Sequence, residues 1–194
     1  MKRTLALLFY LALQACTLPR SLPATADVKP GESEVVVIGE IELIPALSPQ
    51  FEQKTHWNVI GEKRILSRVL IATAGEYKPV KTSKLDGAEF QSILEVEWGL
   101  PFMVNAPRRR TFLNGAVAHL DVLAQEKLWF PGGYYFDVPK GAAAVYIGTL
   151  RYFRDDFNSI TRVEVIDERK DITSVLKPGA SPSDVRPSLL KAVR

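Results

Sequence analysis

The stretch Ala143–Ile166, AAVYIGTLRYFRDDFNSITRVEVI, decides how the rest of the chain is read. Ala143 to Tyr152 (AAVYIGTLRY) and Ile160 to Ile166 (ITRVEVI) are apolar and rich in strand-favouring residues. Between them, Asp155-Asp156-Phe157-Asn158-Ser159 reads as a hairpin loop. Asp, Asn and Ser form turns because their short side chains bond to the nearby backbone. One strand–turn–strand unit of this kind sets the template for the runs around it.

Upstream runs repeat the template. Val35-Val36-Val37-Ile38-Gly39-Glu40-Ile41-Glu42-Leu43-Ile44 begins as a solid apolar run and then alternates apolar and acidic residues, and Pro45 and Pro49 stop it. Ile65 to Ala72 is β-branched and apolar. Phe90 to Trp98 sets Ile93, Glu95 and Glu97 against Leu94, Val96 and Trp98. Pro101 to Asn105 is a short run. Thr111 to Leu123 is long, with Gly115 marking a bulge. Trp129 to Val138 carries a Pro-Gly-Gly turn in its first half. Short runs at regular spacing with such turns predict an all-β protein, a β-sandwich or a barrel, and the expectation carried forward is a single antiparallel β-sandwich over residues 35–170. The end departs from this pattern. Ser181-Pro182-Ser183-Asp184 supplies a cap, and Val185, Leu189, Leu190 and Val193 share a helical face, which predicts a short C-terminal helix within a tail over 171–194.

Leu128-Trp129-Phe130-Pro131-Gly132-Gly133-Tyr134-Tyr135-Phe136-Asp137-Val138 is similar to a hairpin of transthyretin-like and carboxypeptidase-regulatory-like sandwiches. There a Pro-Gly turn precedes a Tyr-containing strand. The run Val145-Tyr146-Ile147-Gly148 and its hairpin into Thr161–Ile166 look like bacterial lipoproteins of sandwich type, a resemblance that carries no assigned chemistry.

The amino terminus carries a second pattern. Lys2 and Arg3 precede an almost wholly apolar run from Thr4 to Leu13, the layout of a secretory signal. The run is too short to span a bilayer, which takes about 20 apolar residues. Leu13-Gln14-Ala15-Cys16 resembles the lipobox of bacterial lipoproteins. That resemblance implies cleavage between Ala15 and Cys16, a diacylglycerol on the Cys16 sulfur and acylation of the new amino terminus. Several chains on one residue hold a domain at a bilayer, each buried methylene adding about 0.8 kcal/mol. Cys16 is the sole cysteine of the 194 residues, so no intrachain disulfide forms, and an odd thiol in an exported protein calls for such an explanation. Thr17 stands where an aspartate would signal inner-membrane retention in many Gram-negative lipoproteins, which points to the outer membrane. Residues 1–15 are then the signal. Residues 16–34 are the lipidated cysteine and a tether rich in proline and small residues.

Charge and core follow. The formal charge is +3, and two of those charges are Lys2 and Arg3, so the exported part carries +1 and offers nothing to nucleic acid. A chain that is 46% hydrophobic builds a core at this length.

Candidate sites are sparse. His56 and His119 are the only histidines, and neither has the neighbours of a metal site, which predicts no metal and no cofactor. Asp155, Asp156 and Asn158 are read as turn formers rather than calcium ligands. The chain lacks a G-x-S-x-G elbow, a P-loop and a G-x-G-x-x-G stretch. Ser174-x-x-Lys177 and Ser188-x-x-Lys191 match a serine–lysine spacing but lack the partner motifs of penicillin-interacting enzymes. Arg108-Arg109-Arg110 is the strongest basic cluster. It suits an anionic contact such as lipid phosphate or an acidic partner, and equally a solvated turn whose arginines discourage strand pairing, the preferred reading. Of Trp129, Phe130, Tyr134, Tyr135, Phe136, Tyr152 and Phe153, about half should face the core.

Two functional expectations result. The first is a lipid-anchored, periplasm-facing or surface lipoprotein that is not an enzyme and serves as a binding or scaffold component with an envelope protein partner. The second is an envelope ligand-binding protein or hydrolase in which Glu95, Glu97, Asp155 and Asp156 converge. Carboxylates work as a hydrolytic pair only within roughly 5–10 Å.

Overall fold

In a computed structural model the described residues are 30–47, 68–79, 92–120, 127–169, 172, 176 and 185–194. The signal, Ala15, Cys16, most of the tether and His56 lie outside them. Among the described residues ten strands follow in order: β1 (Glu34–Ile44), β2 (Arg68–Ala74), β3 (Ser92–Glu97), β4 (Phe102–Pro107), β5 (Thr111–His119), β6 (Lys127–Phe136), β7 (Ala144–Arg154), β8 (Ile160–Ile166), β9 (Val185–Pro187) and β10 (Lys191–Ala192). They form two sheets. One runs β4-β1-β7-β8 with β9 also on β7, and the other runs β10-β6-β5-β2-β3.

The all-β expectation therefore holds, with two corrections. The second sheet is antiparallel throughout, but the first is mixed, because β1 and β9 both pair parallel to β7. And the expected C-terminal helix is absent from the described residues, where 185–194 hold the short strands β9 and β10.

The two sheets share one apolar core, a sandwich-like arrangement. Val35, Val37, Ile41 and Leu43 of β1 meet Val145, Ile147, Leu150 and Tyr152 of β7 on one side, and Val69, Ile71, Leu113, Leu128, Phe130 and Phe136 on the other. Each large apolar side chain so buried contributes about 1.5–3 kcal/mol. The solid first half of β1 has a reason. Val36 and Ile38 point outward into a second cluster with Met103, Ala144, Tyr146, Ile172 and Val185, so β1 is covered on both faces there. Further along, Glu40 and Glu42 take the outward positions and the strand alternates. Glu42 accepts from Arg151 at 2.5 Å, and Arg151 also reaches Glu168 at 3.3 Å.

In β7, Val145 and Ile147 face the core and then Leu150 and Tyr152 do, a change of parity in an unbroken strand. The pairing with β1 slips by one residue between Ile38 and Glu40. The extra residue is accommodated at Gly148, whose φ of 96° suits glycine. A bulge at Gly115 is present as expected, where the β5–β6 pairing shifts. The Pro131-Gly132-Gly133 turn is corrected: these residues sit inside the continuous strand β6 and form its half of that bulge. At Gly132 a Cβ would stand 2.1 Å from the Asn114 carbonyl carbon, so only glycine permits the approach.

The β7–β8 hairpin is as expected. Asp155 N donates to Ser159 O, and the Asp155 carboxylate accepts from Phe157 N at 2.9 Å and Ser159 N at 2.8 Å. Asn158 adopts φ 61°, a conformation that Asn tolerates.

The carboxyl-terminal segment joins the sheets. Ser188 N donates to Tyr146 O and Leu190 N to Ile147 O in the first sheet. Lys191 and Ala192 then pair with Tyr135 and Tyr134 of the second. Val185 enters the outer cluster and Leu190 the central core. The apolar spacing that suggested a helical face is thus satisfied by an extended strand that changes sheets.

Candidate functional site

The three arginines separate into three environments. Arg108 is a structural clamp: its guanidinium donates to Ala142 O at 2.6 Å, Glu34 O at 2.8 Å and Glu32 O at 3.3 Å. Its backbone N donates to Ser33 O at 2.8 Å. It therefore ties down the point where the chain enters β1, rather than offering charge to a ligand. The Arg109 guanidinium lies over Gly75, leaving no room there for a larger residue without displacement. Arg110 points elsewhere, into a groove.

That groove lies on the outer face of the second sheet. It encloses about 740 Å³ between Tyr77, Phe112 and Tyr135, with Arg110 and Lys191 beside them and Ala192, Val193 and Arg194 along one wall. Each part has a local cause. Phe112 and Tyr135 are cross-strand partners on β5 and β6, with ring centroids 5.5 Å apart. Tyr77 extends this aromatic row at 6.4 Å from Phe112. Its segment is held by buried Asn114 at the bulge, which accepts from Lys78 N at 3.1 Å and donates to Glu76 O at 3.2 Å. The bulge that only Gly132 permits thus also builds one side of the groove.

Charge is organised around Asp137, just beyond β6. Arg110 Nε donates to its Oδ1 at 2.7 Å, and Lys191 Nζ to its Oδ2 at 3.1 Å. The hydrogen bond from Arg110, helped by Lys191, holds the Asp137 carboxyl below the usual aspartate range against a smaller opposing effect of burial. The Arg110 guanidinium sits 4.8 Å from the Tyr135 ring centroid and the Lys191 ammonium 5.8 Å from it. Cations so placed are attracted to the ring face and held in one orientation. Arg194 also lies in the wall, and Asp137 is paired with both Arg110 and Lys191.

The expected carboxylate set does not line this groove. Asp155 is occupied with its own turn, in the loop between two strands of the first sheet. Glu95 is buried, while Glu97 is exposed on the same edge strand of the second sheet. Ser188 and Lys191 lie in extended chain, so the one-turn helical spacing is lost. Ser188 Oγ donates to Asp137 O instead. Among the described residues no group of three His, Cys, Asp or Glu side chains is placed to hold a metal ion. The aromatics divide as alternation requires: Phe130, Phe136 and Tyr152 are in the core, and Trp129, Tyr135 and Phe153 face outward.

The sequence singled out Arg110 within its basic cluster and Lys191 within a serine–lysine spacing, but it did not join either to Tyr77, Phe112 or Asp137. The only signal for them was the outward phase of Phe112 and Tyr135 in their strands. No known protein family matches the chain, and no curated protein or solved structure matches it.

Proposed function

We propose that this chain is a lipid-anchored lipoprotein of the bacterial cell envelope, a non-catalytic binding or scaffold component that faces the periplasm or the surface. The observation that carries the reading is Leu13-Gln14-Ala15-Cys16 behind a short apolar run, followed by a proline-rich tether. The Arg108 clamp on Glu32 and Glu34 suits this reading, because it fixes the junction at which a tether would transmit load. Thr17 favours the outer membrane. We read the two sheets as one sandwich, akin to transthyretin-like domains in the Pro-Gly-Gly and Tyr residues that share strand β6. The aromatic and cationic groove is the surface through which it binds.

The test is cross-linking in cells with mass spectrometry of the membrane fraction, comparing wild type with Cys16→Ala. The expected result is an acylated wild type, with the signal removed, linked to a few envelope proteins, and an unacylated variant that loses those links. A soluble, unacylated wild type would overturn the anchor. A ligand-binding or hydrolytic role is the second reading, favoured only by the groove itself. It requires small-ligand binding or turnover by the purified domain that is lost on substitution of a groove residue.

A further inference from the structure

Strand β8 ends the first sheet: β7 pairs with one side of it, and no strand among the described residues pairs with the other. An open strand edge is a template for another extended chain. The edge strands of similar length are better covered. β4 buries Phe102, Met103 and Val104, and β3 buries Leu94 and Val96. No residue of β8 is buried, although Val163 and Val165 pack against the central core. Part of their apolar surface is therefore left at the open edge.

The outward face of β8 carries its two charges. Arg162 and Glu164 alternate with the inward Val163 and Val165. The Arg162 guanidinium lies 3.8 Å from the Phe153 ring centroid and donates to Glu164 Oε1 at 2.6 Å, which holds both charges on that face. Their side chains are still 59% and 39% exposed. A guanidinium has several N–H donors and a carboxylate several lone pairs, so each group has room for a second partner.

When two copies of β8 meet antiparallel, directly opposite side chains share a face. Charged positions then face charged positions, and the register moves in steps of two residues. With Val163 opposite Val163 of the partner subunit, Arg162 faces Glu164 of the partner subunit and Glu164 faces Arg162 of the partner subunit. The charges alternate in sign around a ring, so the pair within each chain is kept and a second is added. One step in either direction sets Arg162 opposite Arg162 of the partner subunit, or Glu164 opposite Glu164 of the partner subunit. Like charges so placed repel. The central register is thus self-complementary and its neighbours are not. A two-fold axis through Val163 relates the copies, so each edge closes the other and assembly stops at a dimer. The register shift that leaves Thr161 unpaired with β7 keeps the added ladder short, which makes the dimer a weak one.

We propose that this chain forms a two-fold dimer by antiparallel pairing of β8 with β8 of a second copy, in the register set by Arg162 and Glu164. The proposal rests on neither the lipid anchor nor the groove.

Sedimentation equilibrium of the full chain in an excess of detergent micelles measures the association. Wild type is expected to dimerise. Arg162→Glu makes this face wholly acidic and Glu164→Arg makes it wholly basic. Each variant alone should therefore associate at least about tenfold more weakly than wild type. Mixed in equal amounts, the two variants are again complementary and should pair as wild type does. Both positions are exposed, so both variants are expected to keep the wild-type circular dichroism spectrum. Hydrogen exchange of wild type gives a reading that needs no variant: protection of the β8 amides should rise with protein concentration.

A wild type that stays monomeric at about 1 mM overturns the proposal. So does a dimer that ignores both single variants, because it would use another interface or a shared micelle. Variants that weaken association alone but do not pair when mixed overturn it as well. Protection of the β8 amides that is independent of concentration would show the edge covered by another segment of this chain, and it too overturns the dimer.

Discussion

Three adjacent arginines do three different things, and each has its own consequence. Arg108 donates to three carbonyls, so Arg108→Met leaves those oxygens without their charged partner. A hydrogen bond to a charged group is worth about 1.5–3 kcal/mol, and the clamp is only half-buried. A loss of about 2 kcal/mol is therefore expected in urea titration. Gly132 is fixed by the backbone it touches. Gly132→Ala forces Asn114 and Gly115 apart and should cost about 3 kcal/mol, with Tyr77 displaced along with them. A Gly132→Ala protein of wild-type stability would show that the bulge is not held as described.

Asp137 gives a pH dependence whose sign is fixed. Its folded-state pKa is depressed, chiefly by the hydrogen bond from Arg110. Its stabilising contribution is present above the ordinary aspartate range and is lost as pH falls through the depressed value. Acid titration of Asp137→Asn should therefore show a shallower fall in stability than wild type. The sequence displayed all of these residues. It did not display their partners, because carbonyls of Glu32, Glu34 and Ala142 become neighbours of Arg108 only when strands far apart in the chain are laid side by side.

Among the elements, most strands were legible. The runs over 35–44, 102–105 and 143–166 are strands because β-branched and apolar side chains alternate or, where both faces are covered, run unbroken. The hairpin at Asp155–Ser159 was legible because its turn is made by its own side chain. Asp155→Ala removes the acceptor for Phe157 N and Ser159 N and should cost about 1 kcal/mol in thermal unfolding. Phe157 at the same tip is 89% exposed, so Phe157→Ser is expected to change stability by less than about 0.5 kcal/mol.

The last segment misled. Val185, Leu189, Leu190 and Val193 have helical spacing, yet Leu190 enters the central core from extended chain. Leu190→Ala should cost about 2–4 kcal/mol in denaturant unfolding. An amphipathic surface helix would tolerate it better. Pro-Gly-Gly misled similarly, since a turn and a two-strand bulge call for the same residues.

For the whole molecule, the two sheets share one core, and residues 185–193 bond first to one and then to the other. The domain is therefore expected to unfold as a unit, with fluorescence and circular dichroism transitions coinciding. Separate transitions would mean that the sheets are independent.

The sequence by itself determined the class of the body, all-β with an apolar core, because strand periodicity and turn chemistry are local. It also carried the expectation of the anchor, which rests on a short contiguous pattern. Tertiary structure decided the mixed sheet, the strap that replaced the helix and the groove. Those depend on which strands become neighbours, and that is set by burial of apolar faces summed over the chain. Arg110, Phe112, Tyr135, Asp137 and Lys191 spread over 82 positions of sequence, 110 to 191. They meet because β5, β6 and β10 are hydrogen-bonded side by side.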